Sequence, residues 1–208
     1  MLGIHNFEAF LLACVVLNML PGPDTFYILG RSMAQGRLIG IASALGISTG
    51  TLVHAIASAL GLSALIAASA TAFMAVKLIG AAYLIYLGIK MLVSGRSDAA
   101  HHAEFQGASF GDGFKQGLLT NVLNPKVAMF FLAFLPQFIS MDQDSPALSF
   151  LVLGLTFVFT STVWTLGLAW VSATVSSSLR KKPQYLIRLN RVTGVLMIGL
   201  GARLAFDK

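Results

Sequence analysis

Charge is what this sequence has least of. Asp, Glu, Lys and Arg together make up 11% of its 208 residues, against about 25% in soluble domains. From Leu38 to Val76 there is none at all. Such a stretch cannot be covered with polar surface in water, which excludes an ordinary soluble domain. It also exceeds the roughly 20 apolar residues needed to cross a bilayer. With 56% apolar residues and a mean hydropathy of +0.80, the chain reads as a polytopic membrane protein. The single cysteine, Cys14, excludes an internal disulfide and a cysteine-rich metal site, and it reads as a small buried apolar residue. Catalytic apparatus is missing too. There is no nucleophile–base–orienter set, no phosphate-cradling glycine loop and no nucleotide-hydrolysing domain. The reading is therefore not an enzyme, with no cofactor, and any work against a gradient draws on an ion gradient or on another chain. The formal charge of +6 forms no basic patch interleaved with aromatics, so no nucleic-acid partner is expected.

Apolar runs bounded by charge or turn residues predict six spans, at about 7–29, 39–67, 71–93, 114–139, 147–175 and 191–206. Lys and Arg gather in the odd-numbered connections. These hold Arg31 and Arg37, then Lys90, Arg96 and Lys115, then RKKPQYLIRLNR at 180–191. That asymmetry predicts cytoplasmic basic loops and both termini outside, with five spans and an inside N-terminus as the alternative. The whole chain, 1–208, reads as one transporter domain of two halves, about 1–95 and 110–208, joined by a basic cytoplasmic loop at 94–113. The pair His101–His102 in that loop reads as solvated rather than metal-binding.

Two spans are interrupted. LNMLPGPDTFYIL (17–29) carries Pro21, Gly22, Pro23 and Asp24, and TNVLNPKVAMFF (120–131) carries Asn121, Asn124, Pro125 and Lys126. Phe7 and Asn18 have the same eleven-residue spacing as Phe110 and Asn121, and Pro23–Asp24 then matches Pro125–Lys126 with one gap. Three spans per half make the second copy enter the membrane from the opposite side. The expectation is an all-α integral membrane protein of six helices, a 3+3 inverted repeat with helices one and four broken by proline, and a substrate site near mid-membrane. Proline lacks the amide proton and clashes with the preceding turn, while glycine permits angles that other residues avoid. Such a break survives in lipid only beside protein or a water-filled cavity. There its helix ends suit the carboxylate and ammonium of a zwitterion. Asp24 and Lys126 are expected near one another across the repeat axis, lining the transport path. A salt bridge, or an interfacial place for Asp24, is the alternative.

The remaining polar residues have quieter readings. His54 is expected to be a hydrogen-bonded packing residue, with a proton relay as the alternative. Gly46 and Gly50, extended by Gly40, Ser43 and Gly61, predict close helix packing. Tyr83 and Tyr86 share a helix face, with packing as the default and a cavity-lining role as the alternative. Thr160, Ser161, Thr162 and Thr165 give the fifth span a polar stripe, suited to interhelical hydrogen bonds or a pore wall. Asp24 is the best titratable candidate for proton coupling.

The chain resembles the LysE/RhtB family of bacterial amino-acid exporters. The stretches that carry the resemblance are LPGPD (20–24), GRLIGIASALGISTGTLVHAIASALGLSAL (36–65), LIGAAYLIYLGIKML (78–92) and FKQGLLTNVLNPKVAMFFLAFLPQF (114–138). The resemblance implies a small inner-membrane exporter driven by the proton motive force. Its partners would be protons, the lipid bilayer and an amino acid or close derivative, with homoserine, its lactone, threonine, leucine, lysine and arginine as family substrates. Pro21, Gly22 and Pro23 match the family's first signature, and Asn121, Asn124, Pro125 and Lys126 its second. Some relatives carry an acidic residue in the fifth span. This chain has none between Asp144 and Asp207, which leaves coupling to Asp24, Glu8 or His54 and favours a neutral cargo such as leucine, threonine or homoserine. Two other readings stay open: a transporter of different cargo such as a metal ion, and a non-transporting membrane subunit that packs against partners through its glycine faces; a homo-oligomer is compatible with any of them.

Overall fold

The computed structural model describes residues 3–62, 70–93, 109–140 and 146–179, together with scattered positions beyond 194. Where the sequence is apolar and free of proline, helices run long. Arg37–Ala57 (α3) continues through a π-helical turn at Ser58–Leu62, Ala70–Val93 forms α4, and Pro146–Leu179 forms α7. At 1.5 Å per residue the 34 residues of α7 reach about 51 Å, well beyond a hydrocarbon core of about 30 Å. Where proline intervenes, the helices divide. Phe7–Met19 (α1) is followed by Pro23–Gln35 (α2), and Phe110–Val122 (α5) by Pro125–Met129 (α6), which runs on as a π turn at Phe130–Phe134 and a 3₁₀ turn at Leu135–Phe138. The halves bend by 49° in the first pair and 46° in the second. Two of the described helices are long and apolar enough to cross a bilayer alone, and four spans result when each bent pair counts as one. Helix α4 is a further 24-residue apolar helix. Positions 195, 198, 199, 202 and 205 are helical, where the sixth span is expected. The protein is an all-α integral membrane protein with two broken spans.

Both breaks follow the same local logic. Gly22 and Asn124 are the residues before the second half-helix, each with extended backbone, and Pro23 and Pro125 occupy its first turn. Proline suits that position because its missing N–H would be unsatisfied there anyway. The two broken spans run antiparallel. At one end, the segment before α1 meets the end of the second span: Ile4 bridges to Ile139, His5 N donates to Phe138 O at 3.0 Å, and Ser140 N donates to Gly3 O at 2.9 Å. At the other end, Tyr27 and Arg31 of α2 reach Gly113 and Gln116 of α5. Opposite orientation of the two spans, expected from three spans per half, is thus observed directly.

Helix α3 is the scaffold on which α5, α7 and α2 pack. The glycine face expected on α3 has a counterpart on α5. A Cβ on Gly46 would land on the Phe114 carbonyl oxygen, and one on Gly117 on that of Ser43; a Cβ on Gly50 would come within 2.8 Å of Asn121 Oδ1. The backbones therefore touch, as small-residue interfaces in membranes allow. A second core is aromatic and joins α1 to α6: Phe10 stacks on Phe130 (6.2 Å) and meets Phe138 edge-on (5.3 Å), and Phe130 lies 4.5 Å from Phe157 of α7. Large apolar side chains such as Leu12, Leu38, Leu123 and Phe159 are exposed, as a lipid-facing surface requires.

Several boundaries shift. The first span, expected to end near 29, runs to Gln35, and the expected loop between spans one and two shrinks to Gly36. Its φ of +86° is a left-handed conformation that favours glycine. Arg31 is thus a helical residue and not a loop residue. The fourth span begins at Phe110 rather than 114, because Ser109 and Asp112 form a capping box there. The basic segments 94–108 and 180–191, and Asp142 and Asp144, lie outside the described residues.

Candidate functional site

The two breaks cross where Asp24, Asn121, Asn124 and Lys126 converge. Asp24 sits in the first turn of α2 and is 8% exposed; Asn121 and Asn124 are each 1% exposed. Asn121 Nδ2 donates to Asp24 Oδ2 at 2.9 Å, joining positions 97 residues apart. Thr51 of α3 donates to Asn121 Oδ1 at 3.4 Å. Asn124 Oδ1 accepts the backbone N–H of Lys126 at 3.0 Å, which caps α6. Two buried polar atoms of this cluster lack a hydrogen bond: the acceptor Asp24 Oδ1 and the donor Asn124 Nδ2. They are neighbours, since the Asn124 side chain interacts with the Asp24 carboxyl.

Lys126 does not pair with Asp24. Its ammonium donates instead to Leu20 O at 3.0 Å and Leu17 O at 3.4 Å, the carbonyls at the broken end of α1. Pro21 is the reason one of them is available, because a residue with an N–H at 21 would bond Leu17 O in a continuous helix. The second break repeats the device. Pro125 removes the helical N–H that would bond Asn121 O; that carbonyl accepts the Asn124 N–H at 2.9 Å, and His54 Nε2 lies 3.1 Å from it. A carbonyl only accepts, so Nε2 carries the proton and the tautomer follows. The π turn beyond α6 sets Phe131 parallel to the His54 ring at 5.9 Å. Asp24 lies within electrostatic reach of both Lys126 and His54. The charges also match the half-helix ends, with an ammonium at the C-terminal end of α1 and a carboxyl at the N-terminal end of α2. Each such placement is worth about 0.3–1 kcal/mol, and up to about 2 in partly buried geometries.

Gly22 departs from expectation in its reason. Its backbone (φ −155°, ψ −174°) is extended and open to any residue. The missing side chain serves another purpose: a Cβ there would lie 3.1 Å from Lys126 Nζ. Asn18 points away from the cluster and donates to Thr160 of α7 at 3.4 Å. Thr156, Thr160, Thr162 and Thr165 donate mainly to carbonyls of their own helix. The polar stripe of α7 thus bonds chiefly to itself. Tyr83 belongs to α4, but its side chain lies outside the described residues.

Comparison with known proteins fits this geometry. The family model described as LysE type translocator matches residues 15–208. The chain belongs to that family. It is 32% identical over 208 residues to an uncharacterized membrane protein of Pseudomonas aeruginosa, covering 98% of this chain and 96% of that one. It is 31% identical over 207 residues to an uncharacterized membrane protein of Vibrio cholerae, covering both chains fully. It is also 29% identical over 203 residues to the leucine efflux protein of Salmonella typhimurium, covering 98% and 96%. No solved structure matches the chain.

One cluster of this translocator escaped the sequence reading. Arg31 is 2% exposed. Its Nε donates to Tyr27 Oη at 3.2 Å, Nη1 to Gln35 Oε1 at 2.7 Å and Nη2 to Gln116 Oε1 of α5. Tyr27 donates in turn to Gly113 O at 3.0 Å. The signal was present: Tyr27, Arg31 and Gln35 recur every four residues, on one helical face. A basic residue near a span end carries the same topology signal whether it is solvated or buried. Hydrogen bonds to charged groups contribute about 1.5–3 kcal/mol, so Arg31→Leu is expected to destabilise by at least that amount, measured by thermal unfolding in detergent. For His54, a positioning role predicts that His54→Gln, which keeps an N–H for Asn121 O, retains export and its pH dependence. His54→Leu is expected to lose roughly 0.6–2 kcal/mol of stability. Loss of export in His54→Gln with unchanged stability would point to proton relay instead.

Proposed function

We propose that this translocator exports amino acids or close derivatives across the bacterial inner membrane, with a neutral amino acid such as leucine, threonine or homoserine, or homoserine lactone, as cargo and inward proton flow as the driving force. The observation that carries the reading is the pair of unbonded buried atoms where the two breaks cross. Asp24 Oδ1 is an acceptor suited to an α-ammonium, and Asn124 Nδ2 is a donor suited to a carboxylate. A buried polar atom without a partner is costly, about 1–3 kcal/mol, and a zwitterion would satisfy both atoms at once. The leucine efflux relative supports the cargo class. The basic connections support cytoplasmic loops and termini outside, and the antiparallel broken spans support a repeat whose halves are inverted.

Everted membrane vesicles with an imposed pH gradient, acid inside, test this. Labelled leucine, threonine and homoserine are offered singly, with lysine as a dibasic comparison. Accumulation of at least one neutral substrate, abolished by a protonophore, is the expected result. Vesicles that accumulate none of them, or that accumulate cargo equally without the gradient, would overturn respectively the cargo class and the proton coupling.

A further inference from the structure

Lys126 carries its charge to a place where other discontinuous transporter helices hold an ion. In such helices the unwound carbonyls and the C-terminal ends of half-helices coordinate the coupling cation. Here Leu17 O and Leu20 O converge on a nitrogen of the chain itself, at 3.4 and 3.0 Å. The extended backbone at Gly22 closes over that nitrogen, since a Cβ at position 22 would sit 3.1 Å from Nζ and 3.4 Å from Cε. The stem is aimed by α6, whose first turn is fixed by Asn124 Oδ1 on the Lys126 N–H. Asp24 supplies the nearby negative charge, while its Oδ2 accepts from Asn121 and the ammonium's hydrogen bonds go to the two carbonyls. Two converging carbonyls, a bare glycine face and a neighbouring carboxyl are the parts of a monovalent-cation site, filled by a side chain.

We propose that the Lys126 ammonium is a tethered cation occupying the carbonyl site at the broken end of α1, and that a small monovalent cation takes the same place once the lysine side chain is removed. The break therefore needs no Na⁺ or K⁺ to hold its shape. The cation site stands apart from the identity of the cargo.

Thermal unfolding of the purified full-length protein reads this without any amino acid present. Wild type is expected to unfold at the same temperature in choline, sodium and methylammonium chlorides of equal concentration. Lys126→Ala is expected to unfold earlier in choline and to recover at least half the loss, saturably, in methylammonium or ethylammonium. Equal unfolding of Lys126→Ala in all the salts would overturn the proposal. So would recovery of Lys126→Ala by Asp24→Asn with no added cation, which would make Lys126 a charge balance for Asp24. Where Lys126→Ala yields no folded protein, Lys126→Gln serves, with a smaller recovery expected, and a flat response again overturns the idea. A wild-type unfolding temperature that rises with sodium but not with choline would do the same.

Discussion

Asp24→Asn is expected to fold normally and export poorly. The asparagine keeps an oxygen for Asn121 Nδ2 to donate to, so the 2.9 Å bond that joins the two breaks survives and the unfolding temperature hardly moves. What disappears is the negative charge of a carboxyl whose Oδ1 is buried without a well-formed hydrogen bond. If that oxygen receives the substrate ammonium, its loss removes one charge-assisted hydrogen bond. Such a bond is worth about 1.5–3 kcal/mol, which corresponds to a roughly 10- to 150-fold fall in export rate at limiting substrate. Initial-rate uptake into everted vesicles measures it, alongside unfolding in detergent. Export within twofold of wild type would remove Asp24 from the transport path. Asp24→Ala makes a useful contrast, because it also strands Asn121 and is expected to lose stability as well as activity.

The second large effect concerns assembly. Gly46→Ala and Gly117→Ala each place a methyl on a carbonyl oxygen of the opposing helix, that of Phe114 in one case and of Ser43 in the other. Neither oxygen is the mobile end of a side chain, so the two helices must part. Overpacking of this kind costs about 1–3 kcal/mol, with Cα–H contacts across the interface lost in addition. Both substitutions are expected to lower the unfolding temperature. Once one has separated α3 from α5 the other meets less resistance, so the double variant should cost less than the sum. Gly167→Ala is the control: nothing lies within 4 Å of its Cβ position, and a helical Gly→Ala change there is expected to be neutral or stabilising by up to about 1 kcal/mol. Equal effects at Gly46 and Gly167 would show that the α3–α5 contact does not set the result.

Helical spans and their interruptions are local properties, which is why they were readable from one sequence. A long run without charge or alternation reads as a helix in lipid, and a proline kinks or breaks one, whatever else the chain does. The antiparallel course of the broken spans followed from counting spans. The glycine faces were readable for the same reason, since GxxxG at 46–50 has few uses besides close approach. Pairings over long separations were not. That Asp24 and Lys126 occupy matching places was visible, but opposite charges at matching places suggested one another as partners. The structure gives Asp24 to Asn121 and Lys126 to the carbonyls of α1, because the broken end of α1 presents carbonyls to the ammonium that no local sequence pattern reveals. Arg31 was misread on similar grounds. A single basic residue near a span end has the same sequence signature whether it faces water or is buried beneath Tyr27 and Gln116.

The two breaks lie at the same depth in spans that run in opposite directions, and each therefore severs its span at the level where the other is severed. Helix α1 keeps company with α6 through Phe10, Phe130 and Phe138, while α2 keeps company with α5 through Tyr27, Arg31 and Gln116. The two broken spans are thereby divided into an upper and a lower storey that meet where Asp24 and Lys126 stand, while α3 and α7 run unbroken past both. The contacts that join α1 to the α6 segment and those that join α2 to α5 use different residues, so a substitution in one set leaves the bonds of the other in place.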